Sequence, residues 1–158
     1  MKSFALNLLI AVIWLLLAPE PSAGAFALGC LLGFALLGVF RPVLGSGDYI
    51  RRVFALGRFL LVFTWEFLAA NVNVVWTVLF RARTSLNPNF VTYDVAGLRP
   101  FEILLLSHCI SLTPGSTTVQ VTDDFQTLVL HTLDVGDPAA VRARLDRVLK
   151  RGILSFTR

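Results

Sequence analysis

Two long uncharged apolar runs, FALNLLIAVIWLLLA (4–18) and GAFALGCLLGFALLGVF (24–40), stand almost end to end with only Pro19-Glu20-Pro21-Ser22-Ala23 between them. Each is close to the ~17–25 residues that carry a helix across a bilayer's hydrocarbon. Lipid offers no partners for peptide N–H and C=O groups, so segments of this kind satisfy them internally as α-helices. The pair predicts a helical hairpin in a membrane. Composition agrees, with 56% hydrophobic and 15% charged residues and a mean hydropathy of +0.74. The start of the chain, Lys2 followed by an apolar run and Ser22-Ala23-Gly24-Ala25, has the general pattern of a secretory signal. A lone lysine is a weak basic region, however, so the segment is read as uncleaved, and because the second run follows at once even a cleaved form would stay membrane-bound.

Bases near the spans set the orientation. Lys2 precedes the first run, the connector has one acid and no base, and Arg41, Arg51 and Arg52 follow the second, which places both ends of the hairpin in the cytoplasm. That distribution accounts for the net charge of +4 without nucleic acid. Glycines at 24, 29, 33 and 38, including Gly29-x-x-x-Gly33, are the kind of surface that lets membrane helices approach closely. Cys30 and Cys109 fall in different layers and are expected as free thiols.

Residues 51–81 are apolar but interrupted. At helical spacing Arg51, Ala55, Arg58, Val62, Glu66, Ala69, Asn73, Thr77 and Arg81 form one narrow polar stripe. Such a helix either crosses the bilayer with its ionisable groups turned toward partner helices or lies in the interface with the stripe toward water. A crossing would put Arg81, Arg83 and all that follows outside, against the positive-inside tendency, so the interfacial reading is preferred. Glu66 reads as a solvated or snorkelling carboxylate, or as the partner of Arg58, rather than as a proton relay.

From Arg81 onward polar and turn residues appear, marking a small water-facing domain. FVTYDV (90–95) reads as a strand. Pro100 opens a helix, FEILLLSHCISL, whose length suits packing under a sheet better than spanning. Pro114-Gly115 ends that helix, and alternation through Val119 and Val121, with Asp123-Asp124-Phe125-Gln126 as turn, predicts a β-hairpin. Asp137-Pro138 starts an amphipathic helix with Val141, Leu145 and Val148 inward and Gly152 as its C-cap. The order is β-α-β-β-α. The fold class is thus a membrane hairpin, a long amphipathic third helix and a small α/β domain, divided at 1–40, 41–86 and 87–158.

Catalytic signals are thin. His108 and Cys109 diverge on a helix, His131 shares a strand face with Val129 and Leu133, and Asp123-Asp124 lack the other ligands of a calcium loop. No nucleophile-elbow, Walker or H-E-x-x-H motif occurs. The bases of the last helix, Arg142, Arg144, Arg147 and Lys150, read as a solvated face. Neither an enzyme nor a bound cofactor or metal is expected.

Ser111-Leu112-Thr113-Pro114-Gly115, then Val119-x-Val121, two acids, and Leu128-Val129-Leu130-His131-x-Leu133-Asp134-Val135 together resemble the E-type subunit of the Mrp-type multisubunit monovalent cation/proton antiporters. Glu66-Phe67-Leu68-Ala69-Ala70-Asn71-Val72 is similar to that family's third-helix segment, and the hairpin corresponds too. Ser116 stands where threonine is commoner in the family, and Trp65 where a basic residue is frequent. The resemblance implies a cell-membrane assembly that expels Na⁺ or another monovalent cation in exchange for protons, with the ion paths in its large subunits. This chain would then be an accessory subunit, its partners being small subunits such as the F and G types, the large antiporter-like subunits and membrane lipid. With Arg58 from the polar stripe, the candidate functional or structural positions are Arg58, Glu66, Asn71, Thr113, Pro114, Gly115, His131 and Asp134.

Overall fold

The computed structural model describes residues 2–81, 86–134 and 137–158. Arg83, used in the orientation argument, and Val135, the last residue of the motif above, lie outside the described residues. Two compact units follow one another, 1–54 and 55–158.

The first unit contains α1 (Lys2–Leu17), α2 (Ala23–Val39), the short α3 (Arg41–Leu44) and the first residues of α4 (Gly47–Phe80). Ser22 caps α2, accepting from the Ala25 N–H at 3.1 Å, the usual serine N-cap. Small residues set the α1–α2 crossing: a Cβ on Gly29 would lie 2.9 Å from the Ala11 Cα, and one on Gly33 only 2.1 Å from the Asn7 Oδ1. The Gly29–Gly33 face is therefore filled by α1 of the same chain, while Gly24 and Gly38 meet nothing closer than 3.8 and 3.9 Å. Asn7 donates through Nδ2 to the Tyr49 hydroxyl at 2.7 Å. Its buried Oδ1, which lies against Gly33, has no hydrogen-bond donor among the described residues. Phe4 and Phe34 pack on the Tyr49 ring at 6.5 and 6.1 Å.

The second unit holds the rest of α4 and, in order, β1 (Asn89–Asp94), α5 (Pro100–Leu112), β2 (Ser116–Val121), β3 (Thr127–Thr132), α6 (Pro138–Leu145), a π-type turn over Asp146–Lys150 and α7 (Arg151–Thr157). The sheet order is β1-β3-β2, antiparallel throughout, with Val91 opposite Leu130 and Thr117 opposite His131; Val119 is the extra residue of a bulge between Thr118 and Gln120. One sheet face is buried. Tyr93, Leu128 and Leu130 meet Ile103, Leu106 and Ile110 of α5 and Leu149 and Ile153 of the last helices, and Val91, opposite Leu130, is buried too. Cys109 lies in the same layer, and burial pushes its thiol pKa up; both cysteines are free. The inward positions 145, 149 and 153 recur every fourth residue, a spacing that drifts around a 3.6-residue helix; the wider π turn between them suits that drift.

Gly152 is not the C-cap the sequence suggests. It sits inside α7, where a Cβ would lie 2.5 Å from Cδ2 of the Phe59 ring, and Phe59 also touches Phe156 at 5.4 Å between ring centroids. The glycine exists so that α4 can approach.

The basic face of the last helix is also largely engaged. Arg142 Nε donates to the Thr92 carbonyl at 2.8 Å, Lys150 to the Asp94 carbonyl at 3.3 Å, and Arg144 pairs with Glu66, leaving Arg147 exposed. The contacts to Thr92 and Asp94 cover the outer edge of β1, an edge that would otherwise offer a pairing template.

Among the described residues α4, 34 residues long, is the one helix long and apolar enough by length and composition to cross a membrane; α1 and α2, with 16 and 17 residues, are apolar but shorter.

Candidate functional site

From Glu66 on, the polar stripe of α4 faces its own α/β unit, whereas Arg58 earlier on the stripe is exposed. Glu66, Asn73, Thr77 and Arg81 line one wall of a cavity of about 420 Å³. Ile110, the Thr113-Pro114-Gly115 turn, Leu130 and Leu133 form the opposite wall, and Val141, Leu145 and Val148 of the C-terminal helices close it. The stripe spans the cavity because its residues repeat every three or four positions.

An ion pair stands at each end. Glu66 is bound by Arg144 rather than by Arg58, which is exposed on the same helix. Arg81 Nη1 lies 2.5 Å from Asp134 Oδ2, and the other Asp134 oxygen accepts from the Asn87 N–H at 3.4 Å. Asp134 thus joins the end of α4 to the segment leading into β1. Both pairs are partly exposed, with Arg144 and Arg81 61% and 48% accessible, so each contributes about 0–1 kcal/mol, the range for solvent-screened pairs.

The Thr113-Pro114-Gly115 turn is built by hydrogen bonds. The Thr113 hydroxyl donates to the Cys109 carbonyl at 2.9 Å, that of Ser116 to the Ile110 carbonyl at 3.2 Å, and the Leu133 N–H to the Gly115 carbonyl at 2.8 Å. Gly115 has φ +91°, a conformation that glycine adopts without penalty, and the Cβ it lacks would lie 3.5 Å from Val74 of α4. The turn therefore ends α5, starts β2 and seats α4 in one place.

Five of the eight candidate positions, Glu66, Thr113, Pro114, Gly115 and Asp134, converge on this cavity. Three do not. Asn71 donates back to the Phe67 carbonyl at 2.8 Å within α4, His131 stacks edge-on against Phe90 at 5.1 Å on the other sheet face, and Arg58 points away. The sequence reading missed Arg144 as the partner of Glu66. The available signal was balance, a lone acid in an apolar helix and a surplus of bases on the last helix. Among the described residues no three of His, Cys, Asp and Glu converge as metal ligands. The cavity is a helix seat held by neutralised charges.

A second polar cluster pins α5 to α7. Glu102 is 1% exposed and accepts from the Arg99 N–H at 2.8 Å, the Thr157 hydroxyl at 2.9 Å, and Arg158 Nε and Nη2 at 3.1 and 2.9 Å. The Arg158 hydrogen bonds are the largest influence holding its carboxyl down to about 2. Tyr93, buried and donating to Asp146 at 2.5 Å, has its phenol pKa pushed well up, first by burial and then by that bond.

Residues 7–155 match the family model described as "Na+/H+ ion antiporter subunit". The E-type Na(+)/H(+) antiporter subunit of Alkalihalophilus pseudofirmus is 31% identical, over 97% of this chain and 96% of its own length. That of Bacillus subtilis is 30% identical, over 84% and 83%. Among solved structures, a chain of the Mrp complex from Dietzia sp. DQ12-45-1b superposes with a TM-score of 0.51 at 28% identity, covering 65% of this chain and 94% of that one. A chain of the membrane-bound sulfane sulfur reductase, an archaeal respiratory membrane complex, gives a TM-score of 0.55 at 20% identity, over 96% and 98%, and so shares the fold. With the family match running almost from end to end, this chain belongs to the Na+/H+ ion antiporter subunit family.

Proposed function

We propose that this chain is an accessory subunit of a multisubunit antiporter that expels Na⁺ or another monovalent cation in exchange for protons, and that it supports assembly rather than ion passage. The observation that carries this reading is the pairing of Glu66 with Arg144 of the same unit. Glu66 is the only acid between Asp48 and Asp94, and a carboxylate already neutralised by its own chain is a holding group. The relatives' names supply the assembly. Among the described residues no three His, Cys, Asp or Glu gather as metal ligands, and the reading is of a transporter subunit.

In this reading α1 and α2 span the cell membrane, both ends of the chain are cytoplasmic, and α4 lies in the cytoplasmic interface. Contacts between α4 and the α/β unit run from Phe59, against Gly152, to Arg81, against Asp134. That is a separation of 22 positions, or about 33 Å of helix, as long as the hydrocarbon is thick at about 30 Å. A helix clasped over such a length by a water-facing domain has little left to bury across a bilayer. Its other face, with Leu61, Trp65, Leu68, Val72, Val75 and Leu79 all exposed, suits the lipid surface or neighbouring subunits. The three-part plan of spans, interfacial helix and cytoplasmic domain follows. In intact cells a cysteine at Ser22 should react with an impermeant maleimide and one at Thr157 should not; labelling at Thr157 would reverse the orientation.

Deleting the chain from the reconstituted complex tests the function. The remaining subunits should fail to co-purify as one assembly, and antiport should fall in parallel. An intact assembly that has lost transport would place this chain in the ion path, and an unaffected complex would leave it a separate membrane-anchored binding module.

A further inference from the structure

Phe125 occupies a backbone conformation that phenylalanine seldom takes, and its side chain is exposed. At the tip of the β2–β3 hairpin it has φ +54°, the one non-glycine among the described residues in the left-handed region, and it is 56% exposed. Glycine, asparagine or aspartate normally fills such a turn position, and burial does not compensate for the aromatic here.

Hydrogen bonds nevertheless brace the tip. The Phe125 N–H donates to the Thr122 carbonyl at 2.9 Å. Asp124 Oδ1 accepts from the Thr122 hydroxyl at 2.5 Å and from the Gln126 N–H at 3.1 Å, and the Thr127 N–H donates to the Thr122 hydroxyl at 3.0 Å. These bonds, the Thr122 one first, hold the Asp124 carboxyl below its usual range. An exposed aromatic on a braced turn keeps the contact area of a free side chain at a lower ordering cost, the property of an interface anchor.

We propose that Phe125 is a docking anchor, inserted with the hairpin tip into an apolar pocket rimmed by basic side chains on another protein subunit. The inference rests on the reading that this chain assembles with other antiporter subunits. Charge selects the occupant. Asp123 and Asp124, both exposed, directly precede Phe125 in the turn; acids there complement a basic rim and are repelled by anionic lipid headgroups.

The test uses the tagged full-length chain expressed with the other antiporter subunits and purified in mild detergent. Asparagine accepts left-handed backbone, so Phe125→Asn should fold with a Tm unchanged or raised by about 2 °C. Recovery of the other subunits should fall by about tenfold or more, the scale of a buried aromatic anchor. Phe125→Tyr should restore most of it, and Asp123→Lys should lower recovery and flatten its salt dependence. Undiminished recovery with Phe125→Asn, while the unaltered chain recovers its partners, overturns the anchor. So does a drop in the chain's own Tm that accounts for the loss. An unaltered chain that recovers no partner overturns the assembly reading, and the anchor with it. A Phe125→Cys thiol shielded from maleimide in phosphatidylglycerol nanodiscs holding this chain alone would assign the tip to lipid and also overturn the proposal.

Discussion

Replacing Gly152 with alanine is expected to destabilise the α/β unit by about 1–3 kcal/mol, the cost of overpacking a filled site. Helix propensity alone predicts the opposite sign, since glycine inside a helix is about 0.5–1 kcal/mol worse than alanine. The packing decides. The added Cβ would meet the Phe59 ring at 2.5 Å, Phe59 is buried, and Phe63 and Phe156 at 5.9 and 5.4 Å limit its movement. Gly152→Leu should be worse and should loosen α4 from the domain, seen as faster proteolysis between them. A double-mutant cycle separates this cause from a capping role: Phe59→Leu makes room and should recover much of the Gly152→Ala loss. Independent effects of the two substitutions would mean that the glycine is required by the backbone and not by its neighbour.

Cutting the Glu102–Arg158 contact should be the other large loss. Arg158→Ala leaves a buried carboxylate with only the Thr157 hydroxyl and the Arg99 N–H, and should lower stability clearly at neutral pH, since an unpaired buried charge keeps its desolvation penalty. The pH dependence has a definite sign. The Glu102 carboxyl titrates near 2 in the folded unit against an ordinary 4.5, so its contribution is complete above about pH 4.5 and disappears as pH falls toward 2. Chemical denaturation at pH 7 and pH 3 should show a smaller difference between Glu102→Gln and the unaltered chain at the lower pH. An equal difference at both would remove the charge from the explanation.

Local chemistry made much of the α/β unit legible in the sequence. Pro100, the Pro114-Gly115 turn and Asp137-Pro138 mark boundaries through φ restriction and capping, and the structure has β1, α5, the hairpin and the last helix in the expected order. The positive φ at Gly115 follows from the same logic. What could not be read depends on partners distant in the chain. Gly152 has the local signature of a helix end, and only the Phe59 ring, 93 positions away, gives it a different role. Glu66 offered Arg58 at helical spacing, yet Arg144 is nearer in space. The stripe on α4 was visible, but periodicity fixes which residues share a face and not what that face meets. Phe125 was assigned to a turn by its neighbours, while its left-handed φ is a property that sequence rules reserve for other residues.

The central claim, that this subunit holds its neighbours rather than conducts protons, is tested most directly by Glu66→Gln in the intact complex, with assembly and proton-driven cation efflux measured on the same preparation. Glutamine keeps the shape and a hydrogen bond to Arg144 while removing the charge, and the pair it weakens contributes no more than about 1 kcal/mol. Assembly should be preserved and a substantial part of antiport retained, with any loss of transport following loss of subunit. A fully assembled complex that exchanges no protons would contradict the account and make Glu66 a proton carrier.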